Sequence, residues 1–455
     1  MILSFLCVLI LLALIKAFHK LWWMPTRIQN LMVLQGIKGP SYRFLYGNAK
    51  EIISMQNEAM SRPMKLSHDI SSHVQPHIHA WSKSYGRNFL QWYGPQPVLV
   101  VTEPELCKEI LLNKDGVYPK PKASKLVKKL VGDSISVTEG EKWEKLRKLS
   151  NHAFRGERVK NMFADMKASA ETMVERWKGH EGKEIDVVEE FRLYTSEVIS
   201  RTAFGSSYLE GKNLFEKLSK LIVFRTSDDI ESDKLDKGIR DSIMDIVKKR
   251  EEEAIIGEED SFGSDFLGLL LKAHHGTNDK QRISVDELVE ECRTFYFAGQ
   301  ETTCLAPKPV GVQTMSIINE TLRLYPPAVM LIRKVAREVR LGKIIVPADI
   351  ELLVPTLALH HDPQLWGQDA TLFKPKRFSE GVAKATNDNM AAFMPFGLGP
   401  RICVGFNFAT IEAKIALSMI LQRYSFTLSP AYVHSPSQYL TVCPQHGVQL
   451  SLRSL

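Results

Sequence analysis

A ten-residue stretch near the end of the chain constrains the fold more than any other feature. It spans Phe396–Gly405 and reads FGLGPRICVG, so its glycines and its proline exclude a regular helix or strand. The backbone must turn tightly there, with Cys403 at the tip of the turn. Apolar residues then recur at helical spacing, at Phe408, Ile411, Ile415 and Met419. Cys403 is therefore predicted to lie just before a helix N-terminus, where free N–H groups and the helix dipole favour a thiolate.

A thiolate in such a turn suits an axial ligand of iron. The glycines admit a cofactor at close range, and Arg401, two residues before the cysteine, provides a cation for an anionic cofactor edge. The alternative is a buried structural thiol, which is the ordinary situation of a cysteine in a glycine-rich turn. The complete spacing F-x-x-G-x-R-x-C-x-G, in which Phe396, Gly399 and Gly405 take the other fixed positions, favours the iron ligand.

Cysteine usage and charge exclude several classes of protein. The six cysteines lie far apart without paired spacing, which indicates neither a disulfide framework nor a zinc site and is typical of a reducing compartment. The formal net charge is +7, and Lys and Arg are scattered along the chain. This balance suits an acidic protein partner or anionic lipid, and it predicts no nucleic-acid partner.

Residues 1–23 are predicted to form a signal anchor that crosses a membrane. Residues 1–18 are apolar apart from Ser4 and Lys16, close to the shortest length that spans a bilayer. Trp22 and Trp23 suit the membrane interface beyond that run. A cleavable signal peptide is the alternative, but no small-residue cleavage site follows. Basic residues follow the apolar run on its C-terminal side, so the body is predicted to be cytosolic.

The remainder reads as a linker and one large body. Residues 24–40 are predicted to form a linker that ends in a stiff hinge at 36–40, and residues 41–455 the catalytic body. Helical patterns dominate from about 105 to 275, whereas strand patterns are short. They occur at Phe89–Tyr93, Val98–Thr102, Ile344–Val346 and Glu351–Val354. The predicted fold class is therefore α+β, mostly α.

One predicted helix carries residues suited to oxygen chemistry. It begins at a capping box, Ser284–Glu287, and continues through the small residues Ala298 and Gly299. A mid-helix glycine costs about 1 kcal/mol against alanine, but it lets a flat ligand approach the backbone. Glu301 and Thr302 follow, and they can relay protons to bound dioxygen. A solvated acid beside a helix-bound threonine is the ordinary alternative.

Two further pairs lie at helical spacing. Trp143 and Arg147 are four residues apart, so an indole N–H and a guanidinium can converge on a pair of carboxylates. A surface arginine beside a half-buried tryptophan is the ordinary interpretation of that pair. Glu320 and Arg323 are three apart on one helical face, and an isolated surface ion pair would contribute little stability.

Taken together, these motifs resemble the cytochrome P-450 family over about residues 36–450. In chain order the W-x-x-x-R, A-G-x-E-T, E-x-x-R, P-x-R-F and cysteine-loop motifs are all present. The resemblance implies a P-450 fold with small β-sheets, preceded by a transmembrane helix. It implies haem b as cofactor, with the Cys403 thiolate as the axial ligand.

The resemblance also implies roles for the other motif residues. Trp143, Arg147 and Arg401 would contact the haem propionates, with Arg333 as a fourth contact. Glu301 and Thr302 would serve oxygen activation. Glu320 and Arg323 would form a structural triad with Arg377 of the segment PKRF, whose second position is usually Glu in the family and is Lys376 here.

The implied activity is a monooxygenase that inserts one oxygen atom from O2 into a small apolar molecule. Electrons would come from NADPH through NADPH-cytochrome P-450 reductase. The segments 36–44 and Tyr118–Lys120 look like those of plant microsomal members, which implies a terpenoid, steroid or plant-hormone substrate and the endoplasmic reticulum membrane. Lys142, Lys145 and Lys148 are candidates for docking the reductase, with an ordinary solvated face as the alternative.

One segment departs from the family pattern. Sixteen residues, Cys304–Asn319, separate the A-G-x-E-T motif from Glu320, where family members have further helices, and Pro307 and Pro309 would end the helix early. Leu221–Ser232 also looks shortened. An internal deletion is therefore predicted, which leaves open a catalytically impaired haem protein. An O2-independent haem-thiolate isomerase or dehydratase is another alternative, which the Glu301–Thr302 pair disfavours.

Overall fold

The computed structural model describes residues 2–223, 229–256, 262–278, 281–303, 314–438 and 440–455. The chain divides into two compact units. Unit 1 consists of Met1–Pro121, Arg323–Ile402 and His434–Gln438. Unit 2 consists of Lys122–Leu322, Cys403–Val433 and Tyr439–Leu455.

The described residues are mostly helical, and their strands are short. The helices are α1 (Ile2–Phe18), α2 (Met24–Leu34), α3 (Ala49–Met60), α4 (Ser71–Val74), α5 (Pro76–Tyr85), α6 (Pro104–Leu112), α7 (Lys125–Val131), α8 (Gly140–Ala153), α9 (Gly156–Asn161), α10 (Phe163–Lys178), α11 (Val187–Phe204), α12 (Tyr208–Val223), α13 (Asp229–Ile256), α14 (Phe266–His275), α15 (Val285–Thr303), α16 (Thr314–Leu324), α17 (Thr356–His360), α18 (Pro363–Trp366), α19 (Val382–Ala385) and α20 (Phe406–Leu421). The strands are β1 (Asn88–Tyr93), β2 (Gln96–Val101), β3 (Glu184–Asp186), β4 (Leu331–Lys334), β5 (Val339–Leu341), β6 (Ile344–Val346), β7 (Glu351–Val354), β8 (Tyr424–Leu428), β9 (Pro436–Gln438), β10 (Val442–Pro444) and β11 (Gln449–Ser454).

Unit 1 is built on a four-stranded sheet in the order β1-β2-β7-β4. The first two predicted strands are confirmed and form a hairpin, because β1 pairs antiparallel with β2 and Phe89 lies opposite Val100. Strands β6 and β7 have the predicted bounds. The parallel pairing of β2 with β7 brings together segments about 250 residues apart, with Leu99 beside Leu352. Both faces of this sheet are covered, so its central strands β2 and β7 are buried and apolar after their first residues, Gln96 and Glu351.

The N-terminal helix runs from the apolar segment directly into unit 1. A π-helical turn at His19–Trp23 joins α1 to α2. Residues Ile2–Leu34 are the one helix of the described residues that is long and apolar enough to cross a membrane, by length and composition. Helix α2 is already part of the folded body, because Met32 is fully buried in the apolar core of unit 1. Gly39 lies so close to β1 that a Cβ there would be 1.9 Å from the Leu90 carbonyl oxygen.

Unit 2 is a helical assembly around α15, with a three-stranded sheet in the order β3-β11-β8. The predicted capping box is confirmed at the start of α15. The Ser284 amide donates to the Glu287 carboxylate at 2.9 Å, and the Glu287 amide donates to the Ser284 hydroxyl at 3.1 Å. Further along, the Phe295 ring packs on Phe154 and Phe266, with centroid separations of 5.1 and 4.1 Å. Most of α15 is therefore a core element.

One buried histidine in unit 1 makes stability depend on pH. His77 on α5 is 1% exposed, and neither ring nitrogen has a hydrogen-bond partner within the described part of the chain. Burial lowers the pKa of His77 to about 4. The unfolded chain binds a proton at this residue below its ordinary pKa of about 6.5, whereas the folded chain does not until about pH 4. Folding stability is therefore lost as the pH falls through that window.

We expect His77→Leu to flatten this dependence. The substitution removes the titrating group and leaves an apolar side chain in an apolar site, so stability near pH 7 should be unchanged or higher. Between pH 6.5 and 4.5 the wild-type chain should lose about 1.4 kcal/mol more per pH unit than the variant. Denaturant unfolding at a series of pH values measures both slopes. Parallel slopes would show that folding does not lower the pKa of His77.

Candidate active site

The glycine-rich loop adopts the tight turn that its sequence predicts. Gly397 and Gly399 have positive φ values of 80° and 76°, which L side chains rarely adopt. A Cβ at Gly399 would also lie 2.2 Å from the Leu111 carbonyl oxygen, so only glycine fits. A 3₁₀ turn at Gly399–Arg401 precedes Cys403, and α20 begins at Phe406. The predicted position of Cys403 just before a helix is confirmed.

Opposing effects act on the pKa of the Cys403 thiol. Its side chain is exposed to solvent, yet protein atoms crowd around the sulfur, and this burial raises the pKa of the thiol. A hydrogen bond with the Gly405 backbone and the charge of Arg147 both lower that pKa, but burial is the larger effect. The backbone at the start of α20 therefore favours a thiolate, as predicted, although burial opposes it more strongly. A coordinated metal ion deprotonates a thiol outright.

Trp143 and Arg147 lie one turn apart on α8, as predicted, and both are half-buried. The Arg147 charge acts on Cys403, and burial lowers the pKa of the guanidinium itself. Gly405 leaves space beside the sulfur, since a Cβ there would be 3.9 Å from it. An accessible thiol beside a partly desolvated cation is a donor set that fits haem, with its iron and its anionic propionates.

The lysines of α8 take part in ion pairs within unit 2. Lys142 donates to Asp133 at 2.9 Å, and Lys145 contacts Glu287 at 3.0 Å. These contacts favour the ordinary interpretation of the lysines over a docking role. Lys148 remains an exposed residue of the same helix.

The small residues of α15 have different surroundings. A Cβ at Gly299 would lie 2.6 Å from the Ile199 side chain, so this glycine allows α15 to pack closely on α11. Ala298 is exposed, and it is the small residue that solvent reaches. The predicted ligand approach therefore applies to Ala298, whereas Gly299 has a packing role.

Glu301 occupies a site that alters its acidity. Burial raises the pKa of its carboxyl, and the charge of Arg192 on α11 opposes that rise. Arg192 is itself held in place, since it donates to the Ser219 hydroxyl at 2.9 Å and to Glu189 at 3.0 Å. The backbone of Thr302 is helical, but its side chain lies outside the described residues.

Gln300 joins α15 to α11 through two hydrogen bonds. The Gln300 side-chain amide donates to the Ser196 hydroxyl at 2.8 Å, and the Thr195 hydroxyl donates to the Gln300 carbonyl at 3.1 Å. Sequence reasoning missed Arg192 and its neighbours, because they belong to no short motif. Arg192 is one of several charged residues of α11, so its presence in the sequence did not indicate a partner on α15.

Unit 1 holds the remaining residues predicted to bind the cofactor. Arg333 on β4 is buried and pairs in register with Leu352 of β7, and its guanidinium donates to the Ile332 carbonyl at 2.9 Å. Phe396 and Arg401 are half-buried in the glycine-rich loop. Their predicted contacts with haem stay predictions.

Two arginines of the predicted triad organise a loop of unit 1. Arg323 is fully buried and donates to the carbonyls of His360 and Ala370 at 2.8 and 2.6 Å. Arg377 donates to the Trp366 carbonyl at 2.9 Å. Both guanidinium groups lie near the Trp366 ring, 5.0 and 5.9 Å from its centroid. Glu320 is fully buried on α16 in unit 2, and its place in the triad stays a prediction.

The adjacent histidines have structural roles. His360 accepts a hydrogen bond from the Met394 amide at 3.0 Å, and His361 contacts the Leu324 carbonyl at 3.0 Å. Burial lowers the pKa of His361 to about 4, so the ring is neutral. Both histidines lie at the buried C-terminal end of α17. The described residues contain no group of three His, Cys, Asp or Glu side chains that would hold a metal ion.

Comparison with known proteins establishes the family. A sequence model of the cytochrome P-450 family matches residues 64–307 and 314–452, which is most of the chain. This chain belongs to the cytochrome P-450 family. Cytochrome P-450 CYP749A22 of Panax ginseng is 51% identical over 507 aligned residues, covering 100% of this chain and 97% of the relative. Cytochrome P-450 734A1 of Arabidopsis thaliana is 37% identical, covering 99% of this chain and 96% of the relative.

Family membership confirms the general predictions. The protein is a haem-thiolate monooxygenase of the plant cytochrome P-450 type, mostly helical with small sheets. Its cofactor is haem, whose iron takes a cysteine thiolate as axial ligand. The apolar N-terminal helix fits a membrane anchor.

The buried arginine network generates a stability prediction. We expect Arg323→Lys to lower the melting temperature, because an ammonium group cannot reach several carbonyls in the planar geometry that the guanidinium provides. Each lost charged hydrogen bond is worth about 1.5–3 kcal/mol. Lys376→Ala is the matched control, since Lys376 is exposed on the same loop and should change stability by less than about 0.5 kcal/mol. Thermal unfolding of both variants checks this, and equal melting temperatures would contradict it.

Proposed function

We propose that this cytochrome P-450 inserts one oxygen atom from O2 into a small apolar substrate of the terpenoid, steroid or plant-hormone class. Electrons come from NADPH through NADPH-cytochrome P-450 reductase, and the protein resides in the endoplasmic reticulum membrane with its body in the cytosol. The observation that carries the proposal is the pairing of Cys403 with the Arg147 charge in a chain of this family.

We assign the axial ligand to Cys403. Bound haem supplies the chemistry that activates dioxygen. Trp143, Arg147, Arg333 and Arg401 are the residues that we propose to contact the propionates. Phe396, Gly399 and Gly405 shape the loop around the ligand. Arg147 is partly buried, so its contact with an anionic group is stronger than a contact in water.

Glu301 and Thr302 are the proposed proton-delivery residues. Burial raises the pKa of Glu301, so this carboxyl holds a proton closer to neutral pH than an exposed glutamate does. The nearby Arg192 charge limits that rise and allows the proton to leave. A carboxyl whose pKa is raised in this way is suited to relaying protons along α15.

The plant microsomal type is supported by the relatives and by the N-terminus. The similar proteins include cytochromes P-450 of Panax ginseng, Arabidopsis thaliana and Kalopanax septemlobus, the last 39% identical over 97% of this chain. A membrane anchor places the body beside a store of apolar molecules. The net charge of +7 favours an acidic electron donor. Lys142 and Lys145 are engaged in ion pairs, so other cations must provide the docking charge.

We further infer that an internal segment is missing between Thr303 and Glu320. The alignment with the Panax ginseng relative runs over 507 residues, whereas this chain has 455. The match to the family breaks between residues 307 and 314. Residues 304–313 lie outside the described residues, as does part of the shortened segment Leu221–Ser232. An absent helix would leave apolar side chains unburied, at about 1.5–3 kcal/mol each.

This inference predicts incomplete haem binding. We expect the full-length chain to bind less than one haem per polypeptide and to give a weak carbon-monoxide difference spectrum. A chimera that carries the Panax ginseng segment between Thr303 and Glu320 should restore both. Haem content measured against protein concentration provides the test. Full stoichiometry in the unaltered chain would refute the inference without affecting the assignment of Cys403.

The ligand assignment predicts a specific spectral change. Cys403→Ala removes the sulfur, so any haem that is retained should lose its thiolate-type carbon-monoxide spectrum. Cys443→Ala is the matched control, because Cys443 is another cysteine that solvent partly reaches. Its spectrum should equal that of the wild type. A thiolate-type spectrum that persists in Cys403→Ala would overturn the assignment.

The proton-delivery role predicts a selective loss of turnover. Glu301→Gln should lower the rate of product formation by about 10²-fold, while haem content stays the same, because the amide cannot donate a carboxyl proton. Glu301→Asp should restore part of the rate. Glu210→Gln is the control, since Glu210 is an exposed residue of α12 that pairs with Lys249. Product formed without NADPH, and unaffected by Glu301→Gln, would favour the isomerase or dehydratase alternative.

A further inference from the structure

A groove in unit 1 lies apart from the residues proposed to bind haem or to deliver protons. It runs between α3 on one side and α4, with the first residue of α5, on the other. Its volume is about 320 Å³. Small-molecule sites in proteins occupy about 300–1,000 Å³, so the groove is large enough for a compact organic ligand.

One side of the groove is a single face of α3. Four residues that are three or four positions apart form this side: Met55, Glu58, Ala59 and Arg62. Ile52, one turn before Met55, is buried in the apolar core together with Ile78 of α5. Helix α3 therefore packs on α5 near its start, and further along the same face lines the groove instead.

The floor of the groove contains a buried histidine. His73 of α4 lines the groove and is only 9% exposed. Burial lowers the pKa of His73, so at pH 7 its ring is neutral, with one N–H donor and one acceptor nitrogen. Its Nε2 lies 3.5 Å from the Ser435 hydroxyl, and the ring makes no shorter hydrogen bond within the described part of the chain. That distance exceeds the usual range, so the ring retains capacity for a ligand.

A second buried polar side chain adjoins the floor. Gln75 is 2% exposed, and among the described residues neither atom of its carboxamide has a hydrogen-bond partner. The next residue, Pro76, lines the groove. Folded proteins leave few buried polar atoms unpaired, and such atoms often mark the place of a water or a ligand. The neighbouring His73 and Gln75 therefore indicate a site for a molecule that forms hydrogen bonds.

The charges at the rim of the groove favour a neutral ligand. Arg62 and Glu58 form an exposed ion pair at 3.6 Å, one helical turn apart. A charged ligand would meet a like charge as well as an opposite one, so it would gain little. The side chains of Met55 and Ala59 offer apolar surface between this rim and the floor. A hydroxyl group suits the floor, because it can donate to one nitrogen of a neutral imidazole or accept from the other.

We propose that this groove binds a small apolar alcohol, with its hydroxyl on His73 and its apolar body along α3. The groove is then a second ligand site, separate from the residues proposed for catalysis. Insertion of oxygen into a C–H bond yields an alcohol, so the ligand belongs to the class of the products of the proposed reaction. The inference extends the proposed function, but the site itself does not depend on it.

Photolabelling of the full-length chain tests this proposal. The probe is farnesol, a linear terpenoid alcohol, with a photoreactive diazirine at the end remote from its hydroxyl. The chain is digested with trypsin, and labelled peptides are quantified. Residues 51–65 and 66–83 report the two sides of the groove, because trypsin does not cleave between Arg62 and Pro63. Residues 378–384, which include the exposed Val382 of unit 1, are the control.

We expect both groove peptides to be labelled severalfold more than residues 378–384, and unlabelled farnesol to suppress this labelling saturably. Farnesene, a hydrocarbon without the hydroxyl, should be about fivefold less effective, because it cannot form a hydrogen bond with His73. Labelling that farnesol does not suppress, or that both competitors suppress equally, would overturn the proposal. The measurement involves no turnover, so its failure would leave the proposed function intact.

Three variants separate binding from folding, and each should melt at the wild-type temperature. Ala59→Trp fills the groove and should abolish the suppressible labelling. Asn57→Trp is the matched control, because Asn57 is exposed on the opposite face of α3, and its labelling should equal that of the wild type. His73→Phe keeps an aromatic ring without its nitrogens, so half-suppression should require about fivefold more farnesol. Wild-type labelling in a folded Ala59→Trp or His73→Phe chain would contradict the proposal.

Discussion

The contact between Gly399 and the Leu111 carbonyl oxygen is the constraint on which the candidate site depends. Any side chain at residue 399 would overlap that oxygen, and the positive φ values at 397 and 399 admit only a tight path. The loop is therefore shaped by backbone contacts rather than by its own side chains. Cys403 acquires its position from this turn, and its electrostatics then come from Gly405 and Arg147.

Local signals were sufficient for the features that depend on neighbouring residues. The capping box at Ser284, the β1–β2 hairpin and the turn before α20 each follow from residues a few positions apart, and each was predictable. The cysteine loop was predictable for the same reason, since glycine and proline restrict the backbone wherever they occur. The family motifs also made it possible to predict that Trp143 and Arg147, which are four residues apart, lie on one face of a helix.

Features that arise from tertiary packing could not be predicted from the sequence. The sequence suggests that Gly299 faces a ligand, whereas in the structure it packs against Ile199. The raised pKa of Cys403 depends on how many atoms surround the sulfur, and local spacing carries no such information. Arg323 illustrates a third limit, because its partners are backbone carbonyls, which have no residue-specific signature. Side chains that bind distant main-chain atoms leave no pattern along the chain.

If the apolar N-terminal helix spans a bilayer, as we propose, its uninterrupted passage from α1 through the π-helical turn into α2 couples unit 1 mechanically to the surrounding lipid. Because Met32 is fully buried in the apolar core of unit 1, a change in the direction of the helix is transmitted to unit 1. When a thinner bilayer tilts the spanning segment, unit 1 must lean with it by the same angle. The lipid composition thereby influences the orientation of unit 1 relative to the lipid headgroups.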